Sequence, residues 1–181
     1  MKLITLISTL ITLLFSSVGY SEKVDSVDYA KEFSNLIDGM YEVESWFDGK
    51  KTHTPPFVSG RWVFYKGKIM STIHNRIDSN NVKSSVRWGY GFFKDNTFNY
   101  SYPESINIKG TNSHSRINDI PLFSGLRKFK VKKTKNGFLM TANNATQTWE
   151  ITESGMVYTD EKWGDEEIFV QRKWKRITPI N

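Results

Sequence analysis

The chain has 181 residues, 38% of them hydrophobic and 14% aromatic, with 25 Lys and Arg against 19 Asp and Glu and no cysteine. That apolar content requires a packed core and excludes a disordered chain, and the length fits one domain. The missing cysteine excludes disulfides, Cys-ligated zinc, iron–sulfur clusters, thiol nucleophiles and the acylated cysteine of a lipoprotein.

Residues 1–21 read as a secretory signal. Lys2 supplies the positive start, and the run Leu3 to Phe15 is apolar apart from Thr5, Ser8, Thr9 and Thr12. Gly19 and Ser21 are small residues at minus three and minus one for cleavage before Glu22. The run is shorter than the ~20 apolar residues of a helical span. Cleavage predicts an exported, single-domain product, residues 22–181, periplasmic or secreted. Losing Lys2 leaves it at +5 (24 basic against 19 acidic). Export without disulfides suits a bacterial periplasm better than a small secreted eukaryotic domain.

Residues 24–37 carry a helical period, with Val27, Ala30, Phe33, Ser34 and Ile37 on one face, Asp25 or Ser26 as cap and Gly39 as stop. Beyond it the pattern predicts ten short strands rich in aromatic and β-branched residues. They span 40–47, 60–66, 68–77, 83–94, 97–103, 126–134, 138–142, 146–153, 156–162 and 167–176. Asp48-Gly49, Gly67, Asp95-Asn96, Asn136-Gly137, Asn143-Asn144, Gly155 and Gly164 mark tight reversals. Residues 51–59, with Pro55-Pro56, read as loop. Residues 103–125 read as a long irregular connection with a possible strand at 106–109, placed as a rim or lid.

Connections this short join antiparallel neighbours, so the expected sheet is a meander that must hide one apolar face and both edges. The fold class is therefore all-β, an antiparallel up-and-down barrel of about 8–10 strands behind a short helix, with a sandwich as alternative. Trp88, Tyr90 and Phe92 alternate with Arg87, Gly89 and Gly91, and Phe129 and Val131 alternate with Lys128, Lys130 and Lys132.

Several short motifs resemble the bacterial lipocalin-like domain family, a calycin type of barrel. They are Leu36-Ile37-Asp38-Gly39-Met40-Tyr41, where Tyr41 stands in the usual Trp position, Ser59-Gly60-Arg61-Trp62-Val63-Phe64-Tyr65, and Met70-Ser71 on the next strand. Tyr90-Gly91-Phe92-Phe93-Lys94-Asp95 and the closing Lys173-Trp174-Lys175-Arg176 complete the likeness, which covers roughly 36–176. The resemblance implies a barrel with a cavity for a small apolar molecule, and no particular activity. It also implies that a basic residue of the last strand, Arg172 or Arg176, packs on Tyr41 and closes the barrel end.

The expected inner wall comprises Tyr41, Val43, Trp62, Phe64, Trp88, Tyr90, Phe92, Phe98, Tyr100 and Trp149. Tyr and Trp carry an O–H or N–H that needs a partner when buried, which a ligand or water in a pocket supplies; a dry core is the competing reading. Arg87, His74 and Arg172 are the candidates for orienting a ligand, and Arg172 shares the phase of Ile168, Val170 and Trp174. The predicted ligand is small and apolar or amphipathic. No cofactor is expected.

Lys128, Lys130 and Lys132 form an exposed row able to meet an acidic membrane surface or to protect a strand from mispairing. No nucleic-acid motif occurs. The acidic cluster Asp160, Glu161, Asp165, Glu166 and Glu167 lacks calcium-loop spacing, and His53, His74 and His114 lack zinc spacing. No nucleophile elbow, phosphate loop or dinucleotide fingerprint occurs. An isomerase or cyclase would need a buried ionisable group, with His74 and Glu44 the first candidates.

Overall fold

The computed structural model describes residues 21–111, 115–118 and 125–178. Among these residues one helix, α1 (Ser21–Ile37), leads through Asp38 into twelve strands. They are β1 (Gly39–Phe47), β2 (Thr52–His53), β3 (Val58–Tyr65), β4 (Lys68–Asn75), β5 (Val82–Lys94), β6 (Thr97–Gly110), β7 (Ser115–Asn118), β8 (Arg127–Thr134), β9 (Gly137–Ala142), β10 (Gln147–Thr152), β11 (Gly155–Trp163) and β12 (Ile168–Thr178). Ten of them run as an antiparallel meander, and β12 returns to pair with β1, so the sheet closes into a barrel. The short β2 adds to β1 and the short β7 to β6. Closure removes the free edges that an open meander would leave.

The turn chemistry follows the sequence. Lys66 and Gly67 between β3 and β4, and Asp95 and Asn96 between β5 and β6, all have positive φ, the requirement of two-residue hairpin loops whose twist matches the strands. Three expected boundaries need correction: residues 51–59, read as loop, contribute β2 and the start of β3 at Val58. The helix starts earlier than expected, at Ser21, and β6 runs on to Gly110, through residues taken as irregular. Residues 112–114 and 119–124 of the expected rim, and leader residues 1–20, lie outside the described residues.

Helix α1 closes one end of the barrel. Its buried residues Phe33 and Ile37 meet a ring cluster in which Phe33 lies 5.2 Å from Phe93, 5.4 Å from Phe98 and 5.4 Å from Phe138. Tyr29 adds an edge contact to Phe138 at 5.3 Å. Ile69, Phe129, Met140, Ile151, Met156 and Trp174 complete this floor. Burying each large side chain stabilises the fold by roughly 1.5–3 kcal/mol.

Strand β5 faces the opposite way from expectation. Trp88, Tyr90 and Phe92 point outward and are 38%, 44% and 42% exposed, while Arg87, Gly89 and Gly91 share the inner face. The reason lies in the neighbours. A Cβ on Gly91 would meet the Phe98 ring at 2.8 Å, the Phe64 ring at 3.0 Å and Ile69 at 3.1 Å. Glycine on the inner face leaves room for rings supplied by β3 and β6, so the large residues of β5 take the outer face. His74 is also outside, in phase with exposed Met70, and its Nδ1 pairs with Ser84 Oγ at 2.9 Å.

Candidate functional site

Above the floor the wall changes character. Trp62, from β3, stacks at 5.9 Å on Phe64 and at 6.2 Å on Trp149 of β10, whose ring lies 4.8 Å from Tyr158 of β11. On the other side Tyr100 of β6 stacks on Phe98 at 5.9 Å and on Phe129 at 5.8 Å, and meets Tyr102 edge-on at 5.5 Å. The structure thus brings together Trp62, Phe64, Phe98, Tyr100 and Trp149 of the expected wall, and leaves Trp88, Tyr90, Phe92 and His74 outside it.

Polar groups converge at the same level. The Trp62 indole N–H donates to the Tyr102 hydroxyl at 2.9 Å. Arg127 donates to Gln147 Oε1 at 3.1 Å and to the Tyr100 hydroxyl. Gln147 Nε2 in turn donates to Asp160 Oδ2 at 2.9 Å, which also accepts from the Tyr158 hydroxyl at 3.1 Å. Asp160 is the one buried carboxylate among the described residues. Burial, with the Asp160 charge as second cause, raises the Tyr158 pKa; burial followed by the neighbouring Tyr100 does the same for Tyr102. Both phenols stay protonated and remain donors.

Arg87 and Arg172 enter this layer from β5 and β12. The Arg172 guanidinium lies 3.8 Å from the centroid of Trp46, 4.9 Å from Trp163 and 5.5 Å from Tyr158. It is surrounded by protein, and burial, opposed in part by Tyr158, lowers its pKa to about 10. Burial lowers the Arg87 pKa as well. Arg172 remains a cation at neutral pH. The Nε–H groups of Arg87 and Arg172, and the indole N–H of Trp149, are buried without a hydrogen-bond partner.

Tyr100 and Arg172 are enclosed by protein, yet each keeps part of its surface accessible. At the end opposite the helix, Trp46, Trp163, Ile168 and Val170 join Asp48, Asn75, Asn81 and Lys83 around a cleft of about 250 Å³. Beside it, buried His53 holds Asp48 through a 2.6 Å contact. A larger groove of about 1030 Å³ lies outside the barrel, between α1 and the β8–β9 turn.

The arginine over Tyr41 is Arg176, 4.6 Å from the ring centroid. Register explains why Arg172 is not the one: Tyr41 pairs with Arg176, and Arg172 pairs with Trp46 further up the barrel. Glu44 is exposed. Sequence reasoning missed Arg127, Gln147, Tyr158 and Asp160 as interior groups. The signal was present, because Arg127 shares the phase of Phe129 and Val131, and Asp160 that of Met156 and Tyr158. Both were read instead within runs of like charge. No family model, no curated protein and no solved structure matches this chain.

Proposed function

We propose that this is an exported, lipocalin-like barrel that carries a small amphipathic molecule in the aromatic upper half of its interior. The observation carrying this reading is the meeting of an aromatic wall, Trp62, Trp149 and Tyr158, with the buried Nε–H groups of Arg87 and Arg172 and the Trp149 N–H, which have no hydrogen-bond partner. Apolar burial supplies affinity and the polar groups supply orientation. Native mass spectrometry of the protein purified gently from the exported fraction, followed by organic extraction, tests it. The expected result is an adduct of fixed mass that extraction removes, and uptake of neutral N-phenyl-1-naphthylamine by the stripped protein. A chain with no adduct that also fails to take up this probe overturns the reading.

A second reading concerns the outer wall. Met70 lies across from Trp88, Tyr90 lies two residues further along β5, and Phe92 is joined through Asn99 to Lys128, which begins the row Lys128, Lys130 and Lys132. Lys68, opposite Tyr90, and Lys94 extend the basic flank. Trp and Tyr favour the headgroup level of bilayers and lysines favour its acidic lipids, so this face suits docking on an acidic membrane. Salt-sensitive sedimentation with phosphatidylglycerol vesicles is expected, weakened by Trp88→Ser. Absence of sedimentation at low salt overturns it.

A further inference from the structure

We propose that the interior level is an oxyanion site, in which Arg87 and Arg172 grip the carboxylate or phosphate head of the amphiphile. The inference rests on the carrier reading and deepens it.

Charge is the first argument. Three guanidiniums, of Arg87, Arg127 and Arg172, lie around Tyr100, whose hydroxyl feels all three. One buried carboxylate faces them, and Asp160 is already engaged by Gln147, Tyr158 and the Lys162 N–H. Neither Arg87 nor Arg172 makes an ion pair or a hydrogen bond among the described residues. Each guanidinium is half-buried, with its Nε–H buried and without a partner, and a buried donor left unsatisfied is costly. A bound anion removes that cost.

Geometry is the second argument. The N–H groups of a guanidinium all lie in its plane. At Arg172 the rings of Trp46 and Trp163 lie close to the guanidinium, within cation–π range, while the in-plane Nε–H has no partner. Such a group is held in orientation with donors to spare, which suits two-point binding of an oxyanion. The Tyr100 hydroxyl, kept protonated by burial, and the Trp149 N–H are the adjacent donors. The packed floor lies beneath and the cleft of Trp46, Ile168 and Val170 above, so the ligand enters head first and its chain extends toward the mouth.

The test is titration of the stripped protein with dodecanoate, dodecyl phosphate, dodecanol and inorganic phosphate, read by tryptophan fluorescence. Dodecanoate or dodecyl phosphate should bind about 10- to 100-fold more tightly than dodecanol, the range of a charge-assisted hydrogen bond or two. Arg172→Met and Arg87→Met should each lose most of that preference and leave dodecanol binding in place. Both variants are expected to fold, since each removes a buried Nε–H without a partner and keeps an apolar side chain against the neighbouring rings, and melting temperatures confirm it. Asp160→Asn should tighten dodecanoate severalfold, a gain that general damage would not produce.

Equal binding of dodecanol and the two anions overturns the oxyanion site and leaves the carrier reading standing. Inorganic phosphate binding as tightly as dodecyl phosphate, with the same loss in the Met variants, supports the anion site and overturns the amphiphile. Failure of all four ligands overturns both.

Discussion

Arg176 lies over the ring of Tyr41 and donates from the same guanidinium to the main-chain oxygens of Leu36 and Asp38 and to the Tyr41 hydroxyl. Tyr41 in turn donates to the Ile37 oxygen at 2.9 Å. The last strand, the first strand and the end of the helix are thereby tied at one point. The carbonyls at a helix C-terminus have no partner within the helix, and here an arginine 140 residues away supplies it. Arg176→Ala should lower stability by about 2–4 kcal/mol, because it strips charge-assisted bonds from several acceptors at once. Tyr41→Phe should cost about 1 kcal/mol. Urea unfolding of both variants measures the difference.

Gly91 and Phe92 are neighbours with opposite tolerances. Gly91→Ala places a methyl group against the Phe98, Phe64 and Ile69 side chains and should destabilise by about 1–3 kcal/mol. Phe92→Ser removes a ring that faces water and should change stability by less than about 1 kcal/mol. Thermal melts of the pair report directly which face of β5 is inside.

Phe33 belongs to the floor and not to the ligand level. Phe33→Ala should cost about 3–5 kcal/mol while the affinity for N-phenyl-1-naphthylamine holds, provided the titration is run well below the lowered melting temperature. A parallel loss of affinity would mean that floor and site are one cavity.

Asp48 sets part of the acid limit of the fold. Burial works to raise its pKa, but the Lys51 N–H, the His53 side chain and the Lys50 N–H outweigh it and hold the carboxyl at about 2. A carboxyl depressed in the folded state contributes stability that is complete above its unfolded pKa of ~3.9 and is lost as pH falls through the folded value. The window is therefore about pH 4 down to pH 2. Asp48→Asn should be less stable at neutral pH and should lose less than the parent across that window, as followed by denaturation at fixed pH steps.

Strand boundaries were legible because β-branched and aromatic runs are bounded by residues able to take positive φ; Asp95-Asn96 and Gly67 sit where the chain reverses. The inward face of β5 was not legible from that strand alone. Alternation separates Trp88, Tyr90 and Phe92 from Arg87, Gly89 and Gly91, but which set faces in depends on the volume that Phe64 and Phe98 already occupy. A register shift between Trp88 and Tyr90, where β5 pairs with β6, adds an offset that no periodicity carries. Arg172 was readable by phase, and its choice of Trp46 over Tyr41 required the β1–β12 register. Asp160 and Arg127 were hidden by their acidic and basic surroundings, where a single inward residue does not stand out.

The pairing of β1 with β12 also governs how the chain reaches its native form. Tyr41 and Arg176 are 135 residues apart, so the contact that seals the cylinder has one of the largest separations in the molecule. The pairings between strands consecutive in the chain are local and form early, whereas the seal must await them and bear the full loop-closure entropy. Until then β1 and β12 are two open templates for pairing with another copy. The interval before sealing is therefore the stage at which this protein is most exposed to aggregation, and substitutions at Arg176 or Tyr41 should lengthen it.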